Sequence, residues 1–181
     1  MKLEYKIDED DFLTYYLFNA SKSDRIRKKR IKNKIFIPII YISIGIFFYF
    51  QLGVTSTFLL IIFGMLWFFI YPYWERRHYK NHYQGFIKEN LKNRLDSIGT
   101  IEITNDYFLG KDNGSESKIF TIEIEEIFEI PTLIFVKLKS GQSFLFPKNK
   151  ISDIDALSTR LKELATYLGI NYIIDENWKW K

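Results

Sequence analysis

Residues 35–74 contain no Asp, Glu, Lys, Arg or His. Over these forty positions only Ser43, Gln51, Thr55, Ser56 and Thr57 interrupt an apolar and aromatic run. One helical pass through a hydrocarbon core needs ~20 residues, so the block suits two passes. The stretch QLGVTS at 51–56 is where the chain can turn and meet water. A transmembrane hairpin is expected, with spans at about 35–52 and 57–74. The competing arrangement is a helical hairpin buried in a soluble protein. Such a helix keeps a polar stripe toward water, and neither segment has one. Trp67, Tyr71, Tyr73 and Trp74 crowd the end of the second span, as an aromatic belt at head-group level would. Pro38 is expected within the first turn or two of the first span, where a missing donor does little harm. Ser43, Gly45 and Gly64 are small enough to let two helices approach closely.

Basic runs flank this block on both sides. Before it stand Arg25, Arg27, Lys28, Lys29, Arg30, Lys32 and Lys34, seven cations in ten residues without an acid. After it come Arg76, Arg77, His78 and Lys80. Lys and Arg close to a span stay on the cytoplasmic side, and the 51–56 connection carries no charge. The expected topology is multi-pass in the plasma membrane, with both termini cytoplasmic and a very short outer loop. The cations either fix this topology alone or also recruit anionic head groups, each adding ~1 kcal/mol near the surface. Candidate head-group contacts are Arg25, Arg27, Lys28, Lys29, Arg30, Lys32, Lys34, Arg76 and Arg77. A nucleic-acid partner is not expected: the net charge of +4 is modest, its excess lies beside the spans, and no groove-reading motif is present.

The hairpin takes 40 of 181 residues. What remains divides into an N-terminal strand and amphipathic basic segment at 1–34, an amphipathic linker helix at 75–97, and an α+β domain at 98–181. The start, MKLEYKID, alternates apolar and polar side chains, and 8–11 are all acidic, so a secretory signal peptide is not expected. Cysteine is absent, which removes disulfides, thiolate metal sites and a cysteine nucleophile.

Local patterns outline the elements. Residues 2–7 read as a short strand, and the acids at 8–11 suit a helix N-terminus. The aromatic segment at 12–18 either lies in the membrane interface or packs on the α+β domain; packing is favoured because it has no basic polar face. Tyr79, Tyr83, Phe86, Ile87, Leu91 and Leu95 mark an amphipathic helix continuous with the second span. From Thr100 the period becomes two, with strands at 101–104, 107–111, 118–122, 124–128, 133–139 and 142–147. Turn chemistry separates several of them, at 105–106, 112–115 and 140–141. A last helix carries Ile154, Leu157, Leu161, Leu164 and Leu168 on one stripe and ends at Gly169. The tail, 170–181, either adds an edge strand or returns to the membrane surface. The expected fold class is an α+β membrane protein, its two-helix hairpin joined to a cytoplasmic antiparallel sheet closed by a C-terminal helix.

This layout resembles that of the YcxB-like family of bacterial membrane proteins. The resemblance is carried by LEYKIDEDDFLTYYLF, the basic run, the paired spans, and the strand series ending in SFLFPKNKI before an amphipathic helix. It implies a C-terminal region similar to pleckstrin-homology-like modules. It implies no activity and no catalytic residue.

Few residues suggest chemistry. Glu75, His78 and His82 have the spacing Glu-x-x-His-x-x-x-His, yet Arg76 and Arg77 beside them disfavour a dication, and a site needs further ligands and orienting partners. Glu123, Glu125, Glu126 and Glu129 are expected on the solvent face of a strand, or docked against a basic partner. The turn at 112–116 lacks the length of a calcium loop. No acid, base or charge lies within the spans, where transporters and proton relays place ionisable groups. No catalytic residue, cofactor or metal is therefore expected. The expected role is a membrane-tethered binding or regulatory module in a bilayer with anionic head groups. Its partner would be a protein, a lipid head group or a second copy of the chain. The alternatives are an immunity-type protein acting against a membrane-directed toxin, and a subunit of a transport or enzyme complex.

Overall fold

The computed structural model describes residues 1–47, 49–95, 97–112 and 115–181, with the side chains of all of these except 50–52, 56 and 93. The chain forms two compact units, Met1–Tyr15 with Gly85–Lys179, and Tyr16–Gln84 with Trp180–Lys181.

The first unit is the α+β domain. Strand β1 (Lys2–Lys6) pairs antiparallel with β2 (Ile98–Ile103), setting Leu3 opposite Ile101. Strands β3 (Tyr107–Asp112) and β4 (Ser115–Phe120) complete a four-stranded antiparallel sheet in sequence order. The second sheet has the order β7-β6-β5-β8, built from β5 (Ile124–Glu129), β6 (Leu133–Leu138), β7 (Ser143–Pro147) and β8 (Asn171–Ile174). Strands β5, β6 and β7 are antiparallel, whereas β8 runs parallel to β5.

The expected single antiparallel sheet of about six strands is thus two sheets of four. The first is completed from the N-terminus, and the second by a parallel edge strand after the last helix. The first fifteen residues belong to this unit rather than to a segment ending at residue 34. Strand β1 needs a partner almost a hundred residues away, a choice that alternation of side chains does not encode.

Helix α4 (Ile154–Leu168) closes the core. Its N-cap Asp153 accepts a hydrogen bond from Ala156 N, and Gly169 caps the other end at φ 67°, a left-handed conformation that only glycine adopts freely. Leu157, Leu161 and Leu164 are buried against Ile103, Phe108, Ile127, Ile134 and Phe146. A fully buried side chain of this size contributes ~1.5–3 kcal/mol relative to exposure. Strand β6 does not alternate: Leu133, Ile134, Phe135 and Val136 are all buried. Covering both faces of a central strand produces such a run, and Tyr15 supplies one contact, its ring edge-on to Phe135 at 5.4 Å.

Helix α1 (Glu9–Lys22) starts with two reciprocal bonds. Asp8 N donates to Asp11 Oδ2 and Asp11 N to Asp8 Oδ1, both at 3.0 Å, which satisfies two donors left free at a helix start. Lys150 Nζ bonds both carboxylates, and Tyr15 Oη donates to Ser143 Oγ at 2.9 Å. The aromatic segment therefore does pack on the domain at Tyr15.

The second unit is helical. Helix α2 spans Asp24–Phe47 and α3 spans Tyr49–Asn90, with a non-helical residue at Gly53 (φ 75°, ψ 169°). That break falls within the expected 51–56 turn. The two helices run antiparallel: a Cβ on Gly45 would lie 3.6 Å from Leu60 Cβ, and one on Gly64 3.4 Å from Pro38 O and Tyr41 Cβ. Pro38 lies in the interior of α2 rather than in its first turns. The helix begins at Asp24, so the basic run is itself helical, with the proline fourteen residues in.

Among the described residues one helix, Gly53–Asn90, is long and apolar enough to cross a membrane. Phe48, part of the expected first span, lies outside the described residues. The expected second span and the amphipathic stretch after it form one helix as far as Asn90, short of the expected end at residue 97.

Candidate head-group cleft

Seven residues of the helical unit line an open cleft of about 240 Å³: Arg27, Arg30, Ile31 and Lys34 from α2, and Tyr71, Pro72 and Glu75 from α3. Residues three, four and seven apart share a helical face. That periodicity brings 27, 30/31 and 34 together on α2, and 71/72 and 75 together on α3. The cleft thus carries three cations and one carboxylate above an apolar wall of Ile31 and Pro72.

Glu75 organises the site. It is buried, accepting hydrogen bonds from Tyr71 Oη at 2.8 Å and from Arg30 Nε at 2.9 Å. Arg30 is half-buried, and its Nη2 donates to the Lys181 main-chain oxygen at 2.6 Å. Its guanidinium lies 5.0 Å from the centre of the Trp180 ring, a cation–π arrangement. Trp180 in turn donates from Nε1 to Arg76 O at 3.3 Å and meets Tyr79 edge-on. Arg30 is therefore a fixed part of the structure.

Its neighbours are held more loosely. Arg27 pairs with Asp24 at 2.7 Å, with both side chains well exposed. Lys34 Nζ sits 4.1 Å from the centre of the Phe68 ring.

Of the nine expected head-group contacts, Arg27, Arg30 and Lys34 come together in the cleft. Arg25, Lys28, Lys29, Lys32, Arg76 and Arg77 are exposed elsewhere on the same unit. Lys32 lies near the Phe36 ring and Arg76 near the Tyr73 ring. Glu75 as an ion-pair partner is the residue that sequence reasoning missed; its one signal was being the first acid after forty uncharged residues.

The Glu75, His78 and His82 spacing does not form a metal centre. Both Glu75 oxygens are occupied, His78 stacks on Trp74 at 5.0 Å, and His82 meets Tyr83 edge-on. Among the described residues, no group of three or more His, Asp or Glu is placed to hold a metal ion.

In the α+β unit the acids of β5 do not form one solvent-facing row. Glu125 and Glu126 both pair with Lys137 on the neighbouring strand. Glu129 turns inward, pairing with Lys148 at 2.7 Å and accepting from Tyr172 Oη at 2.6 Å, with Ser158 Oγ at 3.4 Å. A bulge between Ile124 and Glu126 interrupts the alternation of β5. Burial pushes the Glu129 carboxyl up, but hydrogen bonds from Lys148 and Tyr172, with the Lys148 and Lys162 charges, outweigh it and hold it below the usual range. This polar cluster joins β5, β8, α4 and the turn after β7, a structural role.

No family model matches this chain, and no curated protein or solved structure is significantly similar to it.

Proposed function

We propose that this chain is a membrane-anchored binding module, with α2 and α3 crossing the bilayer as a two-pass hairpin and the α+β unit held in the cytoplasm. The observation that carries the reading is the outward apolar surface of the helical unit. Phe47, Phe63, Met65 and Phe69 are all more than half exposed, and only 12 % of the most apolar window of α3 is buried. A soluble protein rarely exposes contiguous apolar surface of that extent. The cations at both ends of the 35–74 block support a cytoplasmic placement of the termini.

The α+β unit, two sheets closed by a C-terminal helix, supports a pleckstrin-homology-like reading. The two sequence segments behind the YcxB-like resemblance also meet through Asp8, Asp11 and Lys150, and through Tyr15 and Ser143. Such a unit binds rather than catalyses. Its ligand is a protein partner, a lipid head group or a second copy of the chain.

The absence of cysteine makes the test direct. Single variants Val54→Cys and Ser140→Cys are treated with a membrane-impermeant maleimide on intact cells and after lysis. Labelling of Val54→Cys in intact cells, and of Ser140→Cys only after lysis, is the expected pattern. Recovery of the protein in the soluble fraction, or labelling of Ser140→Cys in intact cells, overturns the reading.

A further inference from the structure

We propose that the cleft between α2 and α3 holds the phosphate of one anionic phospholipid, gripped by Arg27 and Lys34, with the ion pair of Arg30 and Glu75 as its fixed wall. The proposal deepens the membrane-anchored reading and rests on it.

Lys34 is the last charge before the forty uncharged residues, so in a bilayer it stands where the head-group layer begins. Arg27 is two turns away on the same face, about 10.5 Å along the helix axis. Two long cationic side chains at that spacing can converge on one phosphate between them. Both are free to do so: the exposed Arg27–Asp24 pair contributes little, and the Lys34 contact with Phe68 leaves its ammonium donors unspent. A phosphate would give each a charge-assisted hydrogen bond, stronger than what it replaces.

Arg30 lies between them but is committed to Glu75 and Lys181. It therefore contributes a field rather than a hand, and Glu75 cancels most of that field. The two remaining cations suit a singly charged phosphodiester with little excess charge. Ile31 and Pro72 supply an apolar wall for the glycerol and upper acyl carbons. A free phosphate ion shares the charge but has no use for that wall.

The test uses the full chain in detergent micelles equilibrated with equal amounts of phosphatidylglycerol and phosphatidylcholine, with retained lipid counted by native mass spectrometry. One phosphatidylglycerol is expected to remain in clear preference to phosphatidylcholine. The double variant Arg27→Gln/Lys34→Gln is expected to lower that preference about tenfold. Lys80→Gln/Lys92→Gln, which removes the same charge from exposed positions outside the cleft, is expected to keep it.

Equal retention of both lipids, or an equal loss in the two double variants, overturns the proposal. Displacement of the lipid by an equal concentration of inorganic phosphate assigns the cleft to free phosphate and overturns the lipid assignment. Membrane fractionation of the same variants separates the two levels. A protein that stays in the membrane without retaining phosphatidylglycerol defeats this inference alone, and a soluble protein defeats the anchored reading as well.

Discussion

Arg30 on α2 and Glu75 on α3 are joined by a hydrogen bond of 2.9 Å, with the Glu75 side chain only 5 % exposed. The pair lies at the charged end of two antiparallel helices, which further along meet at Gly45 and Gly64. Glu75→Ala leaves the half-buried Arg30 without its partner. Hydrogen bonds to charged groups contribute ~1.5–3 kcal/mol, and a loss of that size is expected in the unfolding free energy of the purified protein. An Arg30→Met/Glu75→Leu double variant removes both charges and is expected to recover most of the loss. A double variant no more stable than Glu75→Ala would show that the pair is not the source.

The two interhelical glycines differ in what they tolerate. A Cβ at Gly45 meets its nearest atom at 3.6 Å, an ordinary contact, whereas one at Gly64 meets the Pro38 carbonyl at 3.4 Å. Gly45→Ala is expected to change stability by less than about 1 kcal/mol. Gly64→Leu is expected to force the helices apart and cost roughly 1–3 kcal/mol. Thermal unfolding of the two variants in one detergent compares them, and equal midpoints would contradict the packing described.

Glu129 gives the α+β unit an acid-sensitive contact. Its carboxyl titrates below the usual range in the folded state, through bonds from Lys148 and Tyr172 that outweigh its burial. The unfolded chain therefore binds this proton more readily than the folded one. The stabilisation is complete above the ordinary glutamate value of about 4.3 and is lost as pH falls through the lower folded value. Unfolding midpoints measured from pH 6 down to pH 3 are expected to fall less steeply in Glu129→Gln than in the unaltered protein. Parallel curves would remove Glu129 from the account.

Leu161 on α4 is fully buried in the core. Leu161→Ala removes apolar contact and leaves a cavity, at an expected cost of ~2–5 kcal/mol. Tyr167→Ala, on the exposed side of the same helix, is expected to stay within about 0.5 kcal/mol. Denaturant unfolding followed by circular dichroism distinguishes the two, and equal losses would contradict the orientation of α4.

Much of the local structure was legible. Asp153 and Gly169 bound α4 because a cap needs a particular side chain at one end and a left-handed residue at the other. The paired acids Asp8 and Asp11 start α1 for the first of these reasons, and the turn at Gly53 follows from the second. The basic face that supplies Arg27, Arg30 and Lys34 could also be read, as a run of cations. The cleft itself could not, because it exists only when Tyr71, Pro72 and Glu75 arrive from α3. Pro38 lies inside α2 because the helix starts at Asp24, in the basic run, and not where the uncharged block begins.

The sequence by itself determined where the chain is apolar and where most of its helices and strands lie. These are properties of neighbouring residues, set by side-chain period, capping and charge. The tertiary structure alone decided that β1 closes the first sheet, that β8 joins β5 in parallel, that Glu129 turns inward and that Glu75 holds Arg30. Each of those joins residues distant in sequence, and the choice depends on which pairing buries the most apolar surface while leaving no buried charge without a partner.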